Sequence, residues 1–189
     1  DSPEWFRNLP LWVLCLSPNS QTDMEMIKSA ENLRQYIGLP LGIHWYLWND
    51  TVKADWPHFY PRDTVQETTK TLQEKGIYVK PYIDSRLWNV LDGKMKKEDW
   101  MFTSHGKLYA VKNRDGSMTF EVYNNNKDKY ATMCPASDGW RKWMTDLTER
   151  VAAYGFNAIY HDQVGTAKPI LCFDKSHGHS PGGGEVWLE

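Results

Sequence analysis

The sequence predicts an α/β protein assembled from parallel βα units. Two observations carry this. Four short apolar segments read as strands: residues 11–16 (LWVLCL), 42–48 (GIHWYLW), 77–83 (IYVKPYI) and 156–161 (FNAIYH). Between them lie stretches whose apolar residues recur at helical spacing, and strands alternating with helices of this kind build parallel sheets.

Taken in order, residues 11–16 form an unbroken apolar run, the pattern of a strand buried on both faces, and Cys15 within it reads as a small core residue. A helix follows. Thr22 and Glu25 fit a capping box, Ile27, Ala30, Leu33 and Ile37 share a face, and Gly38 stops it. In the second strand, alternation puts Ile43, Trp45 and Leu47 on one side and His44, Tyr46 and Trp48 on the other. Asp63 and Gln66 cap the next helix, Val65 and Leu72 face inward, and Gly76 lies past its end. The third strand contains Pro81, which weakens its hydrogen-bond ladder. Ser137 or Asp138 opens a long helix in which Trp140, Trp143, Met144, Leu147, Val151 and Tyr154 recur at helical spacing, and Gly155 ends it. The fourth strand leads into Asp162.

The strand ends fall near positions 16, 48, 83 and 162. The first two intervals are ordinary βα units, whereas the third is long enough to carry an insertion of about 45 residues. Within it, residues 107–112 and 117–123 flank 113–116 and predict a hairpin, followed by a polar loop at 124–129. Two architectures accommodate four such units. One is a partial (β/α)8 TIM barrel with the hairpin inserted after strand 3. The other is an open doubly wound α/β sheet. The first strand is followed by SPNSQTD, with no glycine-rich phosphate loop, which argues against a dinucleotide or P-loop protein. Residues 1–187 are expected to form one domain. Leu188 and Glu189 resemble residues added at a cloning junction, with the natural protein expected to continue.

In both architectures ligands bind at the carboxyl ends of the strands. The residues there are Ser17 and Asn19; Trp48, Asn49 and Asp50; Asp84, Ser85 and Arg86; and Asp162 and Gln163. Carboxylates and amides hydrogen-bond paired hydroxyls, and indoles stack on pyranose faces, so this set suits a sugar. The 14% aromatic content points the same way. Lys plus Arg is 22 against 24 Asp plus Glu, so there is no basic footprint and no nucleic-acid partner is expected. No apolar run approaches the length of a membrane span, and no membrane partner is expected. Cys15, Cys134 and Cys172 are too widely spaced for a zinc ribbon or a dense disulfide scaffold.

Segments 133–144 (MCPASDGWRKWM) and 154–163 (YGFNAIYHDQ) resemble retaining glycoside hydrolases with (β/α)8 barrels, in the clan of α-galactosidases and α-glucosidases. The tail at 171–184 (LCFDKSHGHSPGGG) is similar to an uncharacterised bacterial family of glycosidase-like barrels. The resemblance implies a glycosidase acting on carbohydrate, with Asp162 as the nucleophile and an acid/base on a later strand outside this chain. A non-catalytic carbohydrate-binding barrel is the alternative.

Asp84 is expected to contact substrate, to act as a second carboxylate or to cap the following turn. Trp48, Trp45, His44, Arg86 and Gln163 are further candidate substrate contacts, although the two indoles and His44 also fit a core. Asp174, His177 and His179 make a D-x-x-H-x-H cluster. Its spacing is not that of known zinc motifs and the resembled clan needs no metal, so no metal or other cofactor is expected. His177 and His179 are read as substrate-binding or loop-ordering, with the glycines at 182–184 giving a sharp backbone path. No signal segment is visible, and the full-length protein is expected to be periplasmic or extracellular. An open half-barrel would leave unpaired edges, so self-association is expected.

Overall fold

The structure is a computed structural model and describes residues 2–15, 23–51, 53, 55–90, 101–125 and 128–182. Its elements are α1 (Glu4–Arg7), β1 (Trp12–Cys15), α2 (Asp23–Ile37), β2 (Leu41–Trp45), α3 (Val65–Glu74), β3 (Ile77–Asp84), β4 (Leu87–Asn89), a π-helical turn (Phe102–Gly106) leading into α4 (Lys107–Tyr109), β5 (Phe120–Tyr123), β6 (Asp128–Thr132), α5 (Asp138–Ala152), β7 (Tyr160–Asp162) and a 3-10 turn (Lys175–His177). The α/β class read from the sequence is the one that forms. The chain divides into two compact units, one of residues 1–50, 60–83 and 148–160, the other of 51–59, 84–147 and 161–189. No helix among the described residues is long and apolar enough to cross a membrane.

In the first unit the strands run in the order β1-β2-β3-β7, with β1–β2 and β2–β3 parallel. The register sets Ile43 beside Val79 and Leu41 beside Ile77. With Trp45 and Ile83 these side chains are at most 3% exposed and form one buried face. Met26, Ile27 and Ala30 of α2 and Val65 and Leu72 of α3 are buried as their helical spacing predicts. Gly42 lies opposite Trp12, and a Cβ there would stand 2.4 Å from the Trp12 ring, so only glycine lets the indole cross the strand.

Four local readings change. β1 is an edge strand with Leu14 52% exposed, so it is not buried on both faces. β2 ends at Trp45 and the chain turns at once, so Trp48 lies beyond the strand. The expected cap of α3 by Asp63 gives way to Thr64 at the N-cap, whose hydroxyl bonds Asp23 rather than a helix N–H. The fourth strand is only three residues long. Asn157, expected inside it, spends its side chain on the Val79 N–H at 2.9 Å and on Gln73 Nε2 at 3.0 Å, and so replaces ladder bonds. The proposed Thr22 end of the capping box, Ser17, Asn19 and the residues after 182 lie outside the described residues.

The second unit contains an antiparallel sheet in the order β4-β6-β5. Trp88, Val90, Phe102, Ala110, Ala131, Met133 and Trp140 form its core. The tight turn at 113–116 forms as expected, with the Gly116 N–H on the Asn113 carbonyl at 3.0 Å and Gly116 at φ +82°. The hairpin extends a short way from it, with Lys112 opposite Met118 and the Asn113 N–H on the Ser117 carbonyl at 2.7 Å. Residues 107–109 are helical, and β5 pairs with β6 instead, Phe120 opposite Ala131. Gly139 in the first turn of α5 leaves room for the Tyr109 ring, which a Cβ would meet at 2.1 Å.

Candidate active site

β3 ends in Asp84 and β7 ends in Asp162, and these strands are neighbours in the sheet. The Ser85 N–H donates to the Asp162 carbonyl at 3.3 Å. One position upstream, Ser85 Oγ lies 2.7 Å from His161 Nδ1. The strand-end positions of both carboxylates follow from the apolar runs that precede them.

Asp84 is fully buried. Its Oδ1 accepts the N–H groups of Arg86 and Leu87, both at 2.8 Å, so the side chain turns the backbone from β3 into β4. Burial pushes its pKa up to about 7. The charge of Asp162 adds to this, while the two backbone bonds and Arg86 oppose it. The cap reading and the second-carboxylate reading of this residue therefore meet in one side chain.

Arg86, 4% exposed, extends the cluster. One terminal nitrogen donates to Glu121 Oε1 and, at 2.9 Å, to Gln163 Oε1. Tyr123 donates to Glu121 Oε2 at 2.6 Å, and Gln163 Nε2 reaches the Tyr123 hydroxyl at 3.5 Å. Burial, with the Glu121 carboxylate adding to it, pushes the Tyr123 phenol up to about 12. Gln163 has φ +68°, a left-handed conformation uncommon outside glycine, at the point where the chain leaves β7. Two carboxyl groups, a guanidinium, an amide and a phenol thus form one connected polar network. Of these, Glu121 and Tyr123 were not read from the sequence. The available signal was an acidic residue inside the otherwise strand-like segment 117–123.

His44, Trp45 and Trp48 belong to the first unit. Trp48 is fully buried, its Nε1–H donates to the Tyr82 carbonyl at 2.7 Å, and its ring meets Phe156 edge-on. Trp45 is 2% exposed and carries the Arg62 guanidinium over its ring at 5.3 Å. Both indoles are core, which corrects their reading as sugar platforms. His44 is half-buried, with its ring 4.6 Å from that of Tyr160.

His177 and His179 are not among the strand-end carboxylates. They gather with Cys134 and Cys172, the four ligating atoms lying within 4.8 Å of one another. A hydrogen bond between the sulfurs holds the Cys172 thiol below its ordinary value and the Cys134 thiol above it. Asp174, expected beside the two histidines, caps the 3-10 turn through the Ser176 N–H at 2.9 Å and lies 3.6 Å from His177 Nε2 through its other oxygen.

The α/β fold superposes on part of the chains of solved TIM-barrel glycosidases. The chain belongs to the family described as a domain of unknown function (DUF6259), whose sequence profile matches residues 1–189. A Bacteroides thetaiotaomicron protein provisionally named glycoside hydrolase is 33% identical over 187 residues, covering 97% of this chain and 26% of that protein. A Monosiga brevicollis protein, also provisionally named glycoside hydrolase, is 22% identical over 99% of this chain and 18% of its own length. The chain therefore spans about a quarter or less of these relatives. Among solved structures, the α-N-acetylgalactosaminidase of Bifidobacterium bifidum in complex with GalNAc superposes with TM-score 0.68 at 12% identity, over 94% of this chain and 31% of that one. The α-galactosidase of Thermus thermophilus in complex with stachyose gives 0.61 at 11% identity, over 85% and 33%.

Proposed function

We propose that this chain is part of the catalytic barrel of a retaining glycoside hydrolase, with Asp162 as the nucleophile and carbohydrate as the substrate. The observation that carries the reading is the joint placement of Asp162 and buried Asp84 at the carboxyl ends of neighbouring strands, the position where barrel enzymes keep their chemistry. The glycosidase relatives and the carbohydrate ligands named for the structural neighbours support it.

In this mechanism the Asp162 carboxylate attacks the anomeric carbon and forms a glycosyl–enzyme ester while the leaving oxygen is protonated. A carboxylic acid on a later strand, outside this chain, supplies that proton and then activates water. Arg86 and Gln163 hold sugar hydroxyls or the Asp162 carboxylate. Asp84 fixes the Arg86 backbone and sets the local charge. Among the substrate contacts expected from the sequence, Asp84, Arg86 and Gln163 remain in this proposal, and the two indoles leave it.

A partial barrel accounts for the first unit's second sheet face. Trp12, His44 and Lys80 are half-buried there and Leu14 is exposed, although parallel sheets ordinarily cover both faces. In a closed barrel that face is the packed interior. Unpaired barrel edges would make the chain self-associate, read by light scattering at high concentration, where a clean monomer would favour an open sheet.

The test is a screen of the full-length protein on aryl glycosides, repeated with Asp162→Asn. Turnover lost with the fold retained supports the assignment. Unchanged turnover overturns it. The 189-residue chain alone is expected to leave natural, unactivated glycosides intact, because general acid assistance is worth about 10²–10⁴-fold. Robust hydrolysis by it would make Asp84 the leading acid/base candidate.

A further inference from the structure

We propose that Cys134, Cys172, His177 and His179 form a structural zinc site that staples the segment 172–179 to the loop preceding α5. The four residues come from two distant stretches of the sequence, yet their ligating atoms all lie within 4.8 Å of one another. A tetrahedral zinc with bonds of about 2.3 Å to sulfur and 2.0–2.1 Å to nitrogen has ligand–ligand edges of roughly 3.3–3.8 Å. Cys134 Sγ to His179 Nε2 is 3.4 Å, and Cys172 Sγ to His177 Nδ1 is also 3.4 Å. Two edges already match the tetrahedron.

The imidazole tautomers carry the inference furthest. His177 Nε2 lies 2.8 Å from the Leu108 carbonyl, and His179 Nδ1 lies 2.7 Å from the Ser180 carbonyl. A carbonyl only accepts, so each of these nitrogens carries the hydrogen. The opposite nitrogens, His177 Nδ1 and His179 Nε2, then present lone pairs toward the two sulfurs. Metal-bound histidines show this arrangement, with the outer N–H tied to a carbonyl or carboxylate. Asp174 Oδ2, 3.6 Å from His177 Nε2, adds an acceptor on that outer side.

The surroundings fit a closed site. Cys134, Cys172 and His177 are buried, and Val111, Ala136 and Ile170 pack around the sulfurs. Four protein ligands leave no position for water or substrate, which marks a structural ion rather than a catalytic one. On binding, the two thiols release their protons to solvent, and two thiolates neutralise one divalent zinc. The ion would hold the 3-10 turn at Lys175–His177 against Cys134, whose carbonyl accepts the Ser137 N–H just ahead of α5.

The test is metal analysis of the full chain, purified under reducing conditions without chelator or a histidine tag. The expected result is one zinc per chain, with Cys134 and Cys172 protected from alkylation until a strong chelator is added. Replacing zinc with cobalt should give thiolate-to-cobalt charge transfer and the intense visible bands of tetrahedral coordination. Cys172→Ser and His177→Asn should each reduce bound zinc from one equivalent to none after dialysis. Asp174→Ala should keep it, with affinity lowered about tenfold to a hundredfold. Wild-type chain without metal and with both thiols freely alkylated, or with a Cys134–Cys172 disulfide, would overturn the proposal. So would octahedral cobalt spectra. The wild-type cobalt spectrum decides the case even where the cysteine variant fails to fold.

Discussion

Two clusters of the second unit keep polar side chains out of water in opposite ways. At the ends of β3 and β7, a buried carboxyl, Asp84, is held close to Asp162 and linked onward through Arg86, Glu121 and Gln163. Where 172–179 meets Cys134, two thiols and two imidazoles face one another, and the outer nitrogen of each ring is fixed by a backbone carbonyl. The first cluster concentrates charge at the strand ends, where the proposed chemistry lies. The second closes on itself. The contrast is one of chemistry: the first cluster joins carboxyl groups, one with a raised pKa, to a guanidinium, whereas the second converges four ligand-type atoms on one point.

The largest effect that would sharpen this contrast is on turnover. Asp162→Asn in the full-length protein is expected to lower kcat on the order of 10⁴-fold or more, the scale of removing a nucleophile. Its thermal midpoint should stay within a few degrees, since the two side chains are nearly the same size. A comparable loss of stability would make Asp162 part of the scaffold instead.

Next comes the Arg86 pair. Arg86 is almost fully buried and Glu121 largely so, and removing one partner of a buried pair leaves an uncompensated charge. Glu121→Ala is expected to cost about 3 kcal/mol in denaturant unfolding, and Glu121→Gln less. A neutral result would show that Arg86 is held mainly by Gln163.

The strand periods, helix faces and strand-end carboxylates were legible in the sequence because each depends on local spacing. Ile27 and Ala30 on α2, the Gly116 turn and Asp162 after an apolar run all follow from neighbours a few residues away. What was not legible depended on partners far along the chain. Trp48 reads as a strand-end platform until Tyr82 takes its N–H. Residues 107–112 read as a full hairpin arm, but only the end next to the turn pairs, Lys112 with Met118, while 107–109 are helical and β5 pairs with β6. Cys134 reads as an isolated thiol, since nothing in its own segment announces Cys172 thirty-odd residues later. The strand at 156–161 shortens because one amide, Asn157, competes for the Val79 N–H.

Asp84 gives a pH-dependent prediction. Its folded pKa is raised from 3.8 to about 7, so the folded state binds a proton more tightly than the unfolded chain. Its contribution to stability is fully present below pH 3.8 and is lost as pH rises through about 7. The loss amounts to at most a few kcal/mol at the conversion of about 1.4 kcal/mol per unit. Unfolding free energies measured from pH 4 to 8 should show this downward contribution in the wild type, and Asp84→Asn should remove it. Identical profiles would mean that the Asp84 carboxylate is solvated.

A smaller effect is expected at Trp48. Trp48→Phe keeps most of the packing and loses the bond to the Tyr82 carbonyl, so about 1–3 kcal/mol of stability should go. KM of the full-length protein should stay unchanged. A raised KM with unaltered stability would restore the indole as a sugar platform.

The central claim, that Asp162 forms the covalent bond to the sugar, is tested most directly by trapping that bond. The full-length protein would be incubated with 2-deoxy-2-fluoro glycosides bearing a good leaving group, digested, and mapped by mass spectrometry. The expected result is a single glycosylated peptide with the ester on Asp162, and none in Asp162→Asn. A label on Asp84, Glu121 or any other carboxylate, or an active enzyme that inverts the anomeric centre and accumulates no adduct, would contradict it.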